Sequence, residues 1–229
     1  MASIIYKFAA SKIMAADLFN FFLGSFTTLF SIINPLGAMP VFLALTANDS
    51  ASRRLLMARK ASIYMCLILV FFLVAGNFVM NFFGISLESI RIAGGLVVLH
   101  SGFHLLNGRE KGNLSKKTKL EAIEKPDISL TPLALPLLSG PGSIAATITM
   151  ASQTREESFL YDLVIIVTIC CIGLIAFLTL SLSQRLSPVL GRSGLEAITK
   201  IMGFIAMTVG VQFILIGMKA FIENNLDLF

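Results

Sequence analysis

The sequence predicts an all-α polytopic membrane protein: six transmembrane helices arranged as two inverted three-helix repeats, with discontinuous helices 1 and 4. Three observations predict it. Of the 229 residues, 56% are hydrophobic and 14% charged, and mean hydropathy is +0.86; an ordinary soluble domain carries about 25% charged residues. The apolar residues fall into six runs of membrane-spanning length between polar connections. Two helix-breaking motifs, Asn34-Pro35-Leu36-Gly37 and Ser139-Gly140-Pro141-Gly142-Ser143, lie inside the first and fourth runs.

The first run covers residues 17–46, behind a lead that carries Lys7 and Lys12 and no small-residue cleavage site, so it reads as an uncleaved span. Thirty helical residues would extend about 45 Å, beyond a hydrocarbon core of about 30 Å. Breaking the helix at residues 34–37 into two half-helices at an angle removes the mismatch. A charged connection follows, with Asp49, Arg53, Arg54, Arg59 and Lys60. Runs two and three cover 61–83 and 87–106, parted by Gly84, with Glu88 and Arg91 opening the third. The fourth covers 130–153, the fifth 159–182 and the sixth about 195–221. The chain is thus expected to be a single membrane domain, 1–229, with repeat 1 at about 17–107, a cytoplasmic connector at about 108–129 and repeat 2 at about 130–222.

The charge pattern orients the six spans. With the N-terminus on one side, the connections after spans one, three and five collect 13 of the 18 Lys and Arg residues on the other. The positive-inside rule makes that second side cytoplasmic and both termini non-cytoplasmic. Lys7 and Lys12 oppose the rule. The net charge of +5 is therefore an orientation signal, and the partner it implies is the lipid bilayer, not nucleic acid. Cys66, Cys170 and Cys171 all lie in apolar runs and read as small buried side chains.

The halves also match in detail. Leu87-Glu88 leads to Gly94-Gly95 in span three, and Leu195-Glu196 leads to Gly203 in span six. Aligning Gly95 with Gly203 also aligns Gly102 with Gly210 and His104 with Gln212. Pro35 precedes Gly95 by 60 residues, and Pro141 precedes Gly203 by 62. A repeat of three spans must re-enter the bilayer with opposite polarity, which gives a pseudo-two-fold axis in the membrane plane.

The breaks carry the chemistry. Asn34 suits the cap of a second half-helix with Pro35 at its first position, where a missing N–H costs nothing. Ser139 or Gly140 would cap the corresponding half-helix that starts at Pro141. Gly37 and Gly142 leave space for close approach. Inversion brings two positive helix ends together near the midplane, a site for an anionic group such as a carboxylate. Ser31, Thr27, Ser143 and Thr147 are placed to add hydroxyl contacts. A single proline-glycine break reads equally well as a kink; two at repeat-related positions favour a site.

Other features are weaker. His100 and His104 have the i, i+4 spacing of a metal pair, but no further ligand in the runs completes a site, so packing or interhelical bonding is the simpler reading. Gln212 is expected to bond across helices, and Glu88 and Glu196 to complement helix starts or serve in gating. Gly94, Gly95, Gly102, Gly203, Gly210 and Gly217 read as close-packing positions. No motif for metalloprotease, paired-acid or nucleophilic catalysis is present, so no enzyme activity and no cofactor are expected.

Residues 30–46, containing Ser31-Ile-Ile-Asn-Pro-Leu-Gly-Ala-Met-Pro40, and residues 132–143, Pro-Leu-Ala-Leu-Pro-Leu-Leu-Ser-Gly-Pro-Gly-Ser, resemble the first- and fourth-span signatures of the MarC family of bacterial and archaeal inner-membrane proteins. Gly210-Val-Gln-Phe-Ile214 resembles its last span. The resemblance covers nearly the whole chain; the N-terminal lead and His100/His104 fall outside it. It implies a bacterial inner-membrane location and a neutral amino acid transporter, with Asn34, Pro35, Gly37, Gly140, Pro141 and Gly142 lining the substrate site. The expected function is secondary transport of a small neutral amino acid, such as glycine or alanine, by alternating access. The alternative is an exporter or channel for another small solute or anion. The coupling ion, Na+ or H+, and a homo-oligomeric state are left open.

Overall fold

The computed structural model describes residues 2–107, 127–154 and 159–224. Most of the connector expected at 108–129 lies outside the described residues. Those residues form eight helical segments: α1 (Ala2–Ile33), α2 (Pro35–Leu45), α3 (Ala51–Phe83), α4 (Leu87–Leu106), α5 (Ser129–Leu138), α6 (Pro141–Thr154), α7 (Phe159–Ser181) and α8 (Ser183–Asn224). By length and composition they supply five membrane-crossing helices, or six when the bent α5–α6 pair counts as one. The chain is a multi-pass, all-helical membrane protein.

Local chemistry explains where the helices stop. Ser50 caps α3, its hydroxyl accepting from Arg53 N at 3.3 Å. Gly84 ends α3 with φ 64°, a left-handed conformation that glycine adopts without a Cβ clash. Ser86 then caps α4 through Ser89 N at 3.2 Å. Within α8, Gly191 departs from helical geometry with φ 63° and ψ 177°, separating a short leading piece from the span Ser193–Asn224.

The two breaks differ. Met14–Leu45 is long and apolar enough to cross as one span of 32 residues, interrupted at Asn34. Among the described residues the large bend is at the second break, where α5 and α6 meet at 63°. Nor is α5 an α-helix. Its turns are wider, with Leu133 N bonded to Ile128 O at 3.2 Å and Ser139 N to Ala134 O at 2.8 Å. Thr131 and Leu135 are extended, each preceding a proline, and both Thr131-Pro132 and Leu135-Pro136 are cis. A residue before proline is sterically excluded from the α region, so two prolines four residues apart leave no α-helical turn between them.

The core forms around α7, which packs against α1, α2 and α3, while α3 also packs on α5 and α6. Leu29, Phe42, Met65, Leu69, Leu133, Ile165 and Ile169 are all fully buried. The outer faces of α3, α7 and α8 carry exposed Phe71, Val74, Phe78, Leu174, Phe204 and Leu215, as expected of surfaces that meet lipid. Cys170 is exposed on α7, contrary to the buried role expected of it, while Cys66 and Cys171 are partly buried.

α4 and α8 cross at their glycines. A Cβ on Gly95 would stand 2.7 Å from Gly210 O, and one on Gly102 2.6 Å from Gly203 O. Only glycine permits that approach of two backbones. Several further pairings come in matched sets: α1 meets α7 while α5 meets α3, α2 meets α7 while α6 meets α3, and α2 meets α8 while α6 meets α4; among the described residues α1 on α8 and α6 on α7 have no such counterpart.

Candidate functional site

Asn34 adopts φ 45° and ψ 65°, the left-handed region that Asn tolerates better than most residues. Its Oδ1 accepts from Gly37 N at 3.0 Å, and Pro35 fills the first position of α2. A Cβ on Gly37 would collide with the Asn34 carboxamide, so this cap requires glycine there. The cap also occupies one N–H of the α2 terminus.

The second break is built differently. The Ser139 hydroxyl donates backward to Ala134 O at 2.8 Å and so does not cap α6. Gly140 takes the cap position, its carbonyl accepting from Ile144 N at 3.1 Å and from the Ser143 hydroxyl at 2.9 Å. Among the described residues no side chain caps the first turn of α6, so its positive end is the less neutralised of the two.

These two breaks meet in one cavity of about 310 Å³. Of the residues singled out from sequence, Asn34, Gly37, Gly140, Pro141, Gly142 and Ser143 line it. Pro35, Ser31, Ser139, Thr147 and Thr27 are not among its lining residues. The hydroxyls of Ser31, Thr27 and Thr147 donate to carbonyls of their own helices, Thr27 O, Leu23 O and Ser143 O, at 2.6, 2.7 and 2.8 Å. That back-bonding satisfies the hydroxyl inside an apolar helix bundle.

The walls that sequence reasoning missed come from Val97, Val98, Ser101 and Leu105 of α4 and from Ala206 of α8. Gly142 shows why α4 belongs there: a Cβ on it would stand 2.5 Å from Val98 Cγ2. A signal for these residues was present in the glycine alignment, which pairs Val98 with Ala206.

His100 and His104 face each other with Nε2 atoms 2.9 Å apart on the exposed side of α4. No group of three or more metal-ligating side chains occurs among the described residues. Gln212 is exposed and makes no bond to a neighbouring helix among the described residues, contrary to expectation. Glu88 accepts from Asn224 Nδ2 at 3.0 Å, and Glu196 pairs with Lys200 at 3.4 Å.

Outside the spans, Asp127 is tied to Lys60 Nζ at 2.6 Å and accepts from both the backbone N and the hydroxyl of Ser129. The Lys60 bond, followed by Ser129, holds the carboxyl of Asp127 down to about 2 from 3.8.

Fold and cavity together define a multi-pass membrane protein with an internal, largely apolar chamber formed where helices break. The chain belongs to the MarC family of integral membrane proteins, whose model matches residues 19–222. It is 36% identical over 200 residues to a UPF0056 membrane protein of Methanocaldococcus jannaschii, covering 87% of this chain and 97% of that one. It is 35% identical over 218 residues to the UPF0056 inner membrane protein MarC of Escherichia coli O157:H7, covering 91% and 99%. It is 33% identical over 213 residues to the UPF0056 membrane protein YhcE of Escherichia coli K12, covering 91% and 95%. No solved structure matches the chain significantly.

Proposed function

We propose that this protein is a secondary transporter of small neutral amino acids, glycine- or alanine-like, working by alternating access in the bacterial inner membrane, and not an enzyme. The observation that carries the reading is the shared cavity at the two breaks. Its lining respects the sequence repeat: Ile32 corresponds to Leu138, Asn34 to Gly140, Gly37 to Ser143 and Val98 to Ala206, and all eight line it. Residues exchanged by a two-fold operation come together near its axis, which supports a chamber at the centre of an inverted repeat. The α4–α8 crossing supports the same symmetry, since exchange turns the Gly95–Gly210 approach into Gly203–Gly102.

In this reading a single membrane domain carries repeat 1 at 17–107 and repeat 2 at 130–222, joined by a cytoplasmic connector, with both termini outside. The substrate carboxylate sits at the uncapped end of α6 and the Asn34 amide, the glycines leave room for a small side chain, and one repeat rocks against the other. A coupling ion, Na+ or H+, would use carbonyls at the breaks; Leu36 O lacks its usual i+4 donor because that position is Pro40.

Reconstituted protein is expected to exchange labelled glycine or alanine across liposomes with saturable kinetics. Exchange of no small zwitterion would refute the carrier. A voltage-driven current without saturation would favour the channel for a small solute or anion instead.

A further inference from the structure

A second cavity of about 320 Å³ lies toward the opposite end of the bundle from Lys60 and Asp127. Its lining includes Arg91 of α4, Thr149 and Gln153 of α6, and Asn20, Ser25 and Thr28 of α1. Arg91 is 8% exposed and Thr149 5%. Arg91 Nε and Thr149 Oγ1 are both buried and without a hydrogen-bond partner. No direct ion pair reaches the Arg91 guanidinium among the described residues; Glu88, one turn back along α4, acts on it electrostatically while accepting from Asn224. A buried guanidinium whose Nε lacks a hydrogen bond is costly within a membrane span, and such residues mark substrate or ion pathways.

The geometry points to a second carboxylate-binding station here, with Arg91 and Thr149 as its donors, for the same small zwitterion proposed above; the inference rests on that reading. A guanidinium presents its N–H groups as a planar fork that matches a carboxylate in two-point contact. Thr149 Oγ1 supplies a further donor. The side-chain carbonyls of Asn20 and Gln153 suit an ammonium group. A single fixed positive charge matches one carboxylate.

The station is one-sided. In the repeat alignment Arg91 corresponds to Thr199, and the adjacent Lys200 is exposed and paired with Glu196. Between the two cavities α4 and α6 touch: a Cβ on Gly94 would collide with Ala145 Cβ. Arg91 and Val98, on either side of that contact, are about 10 Å apart along the helix axis. The substrate thus passes from Arg91 to the break cavity when this pinch opens.

The test uses wild-type protein in phosphatidylcholine nanodiscs. Modification of Arg91 by phenylglyoxal is followed by peptide mass spectrometry, with exposed Arg185 as internal reference. Acetate or glycine at about ten times its dissociation constant is expected to slow modification of Arg91 roughly tenfold through occupancy, and methylammonium is expected to leave it unchanged. Arg91→Gln is expected to weaken acetate binding about tenfold, and Thr149→Val less. An Arg91 rate indifferent to acetate and glycine overturns the station, as does protection that requires phosphatidylglycerol and ignores acetate. The Gly142→Leu protein separates the two claims. Protection at Arg91 in a wild type that exchanges no zwitterion keeps the station and refutes the carrier. Exchange that Gly142→Leu abolishes, without protection at Arg91, keeps the carrier and refutes the station.

Discussion

At the residue scale, Asn34 combines two tasks that few side chains can perform together. It tolerates a left-handed backbone and caps the helix that follows. Asn34→Ala loses both and is expected to destabilise the protein by about 2 kcal/mol, combining a cap of about 1 with a left-handed penalty of about 1. Asn34→Gly loses only the cap and is expected to cost a few tenths of a kcal/mol. Unfolding of the three proteins in mixed micelles measures this order. Asp127 gives a pH signature. Its folded pKa, about 2, lies below the unfolded value, so its stabilisation is full above about pH 4 and disappears as pH falls through about 2. Both partners are substantially exposed, so solvent screening keeps the effect small. The melting temperatures of wild type and Asp127→Asn should differ near neutral pH and converge at about pH 2.

At the element scale, glycines set how closely α4 meets its neighbours. Gly210→Val would drive a side chain to within 2.6 Å of Leu99 N, a backbone atom that cannot rotate away. The expected loss is about 1–3 kcal/mol from overpacking, read by thermal unfolding in detergent. The glycine positions and both breaks were legible in the sequence because proline and glycine act on the backbone locally. The shape of the breaks was not. Nothing in Asn34-Pro35 announces that the cap would let Met14–Leu45 continue as one span. Pro132 and Pro136 stood in the sequence without being read as breakers, and their joint action on Thr131 and Leu135 makes α5 a wider, bent segment. The hydroxyls of Ser31 and Thr147 were misdirected for a general reason: within an apolar helix the nearest acceptor is the carbonyl one turn back.

At the scale of the whole molecule, the five or six apolar spans were legible in composition, and the cavity walls of α4 and α8 came only from tertiary packing. Inverted topology makes a prediction about sidedness. In a protein whose own cysteines are replaced, Asn48→Cys and Gln184→Cys should react with an impermeant maleimide from one face of the membrane, and Ile85→Cys from the other. Reaction of all three from one face would remove the inverted repeat. The central claim is that the two breaks form one substrate chamber, and Gly142 lies within it, against Val98 and Ile32. The most direct measurement is the rise in melting temperature on adding glycine to detergent-purified wild type and Gly142→Leu, each first shown to be folded and monodisperse. A rise in wild type that is lost in Gly142→Leu is the predicted result; an equal rise in both would place the ligand elsewhere and contradict the account.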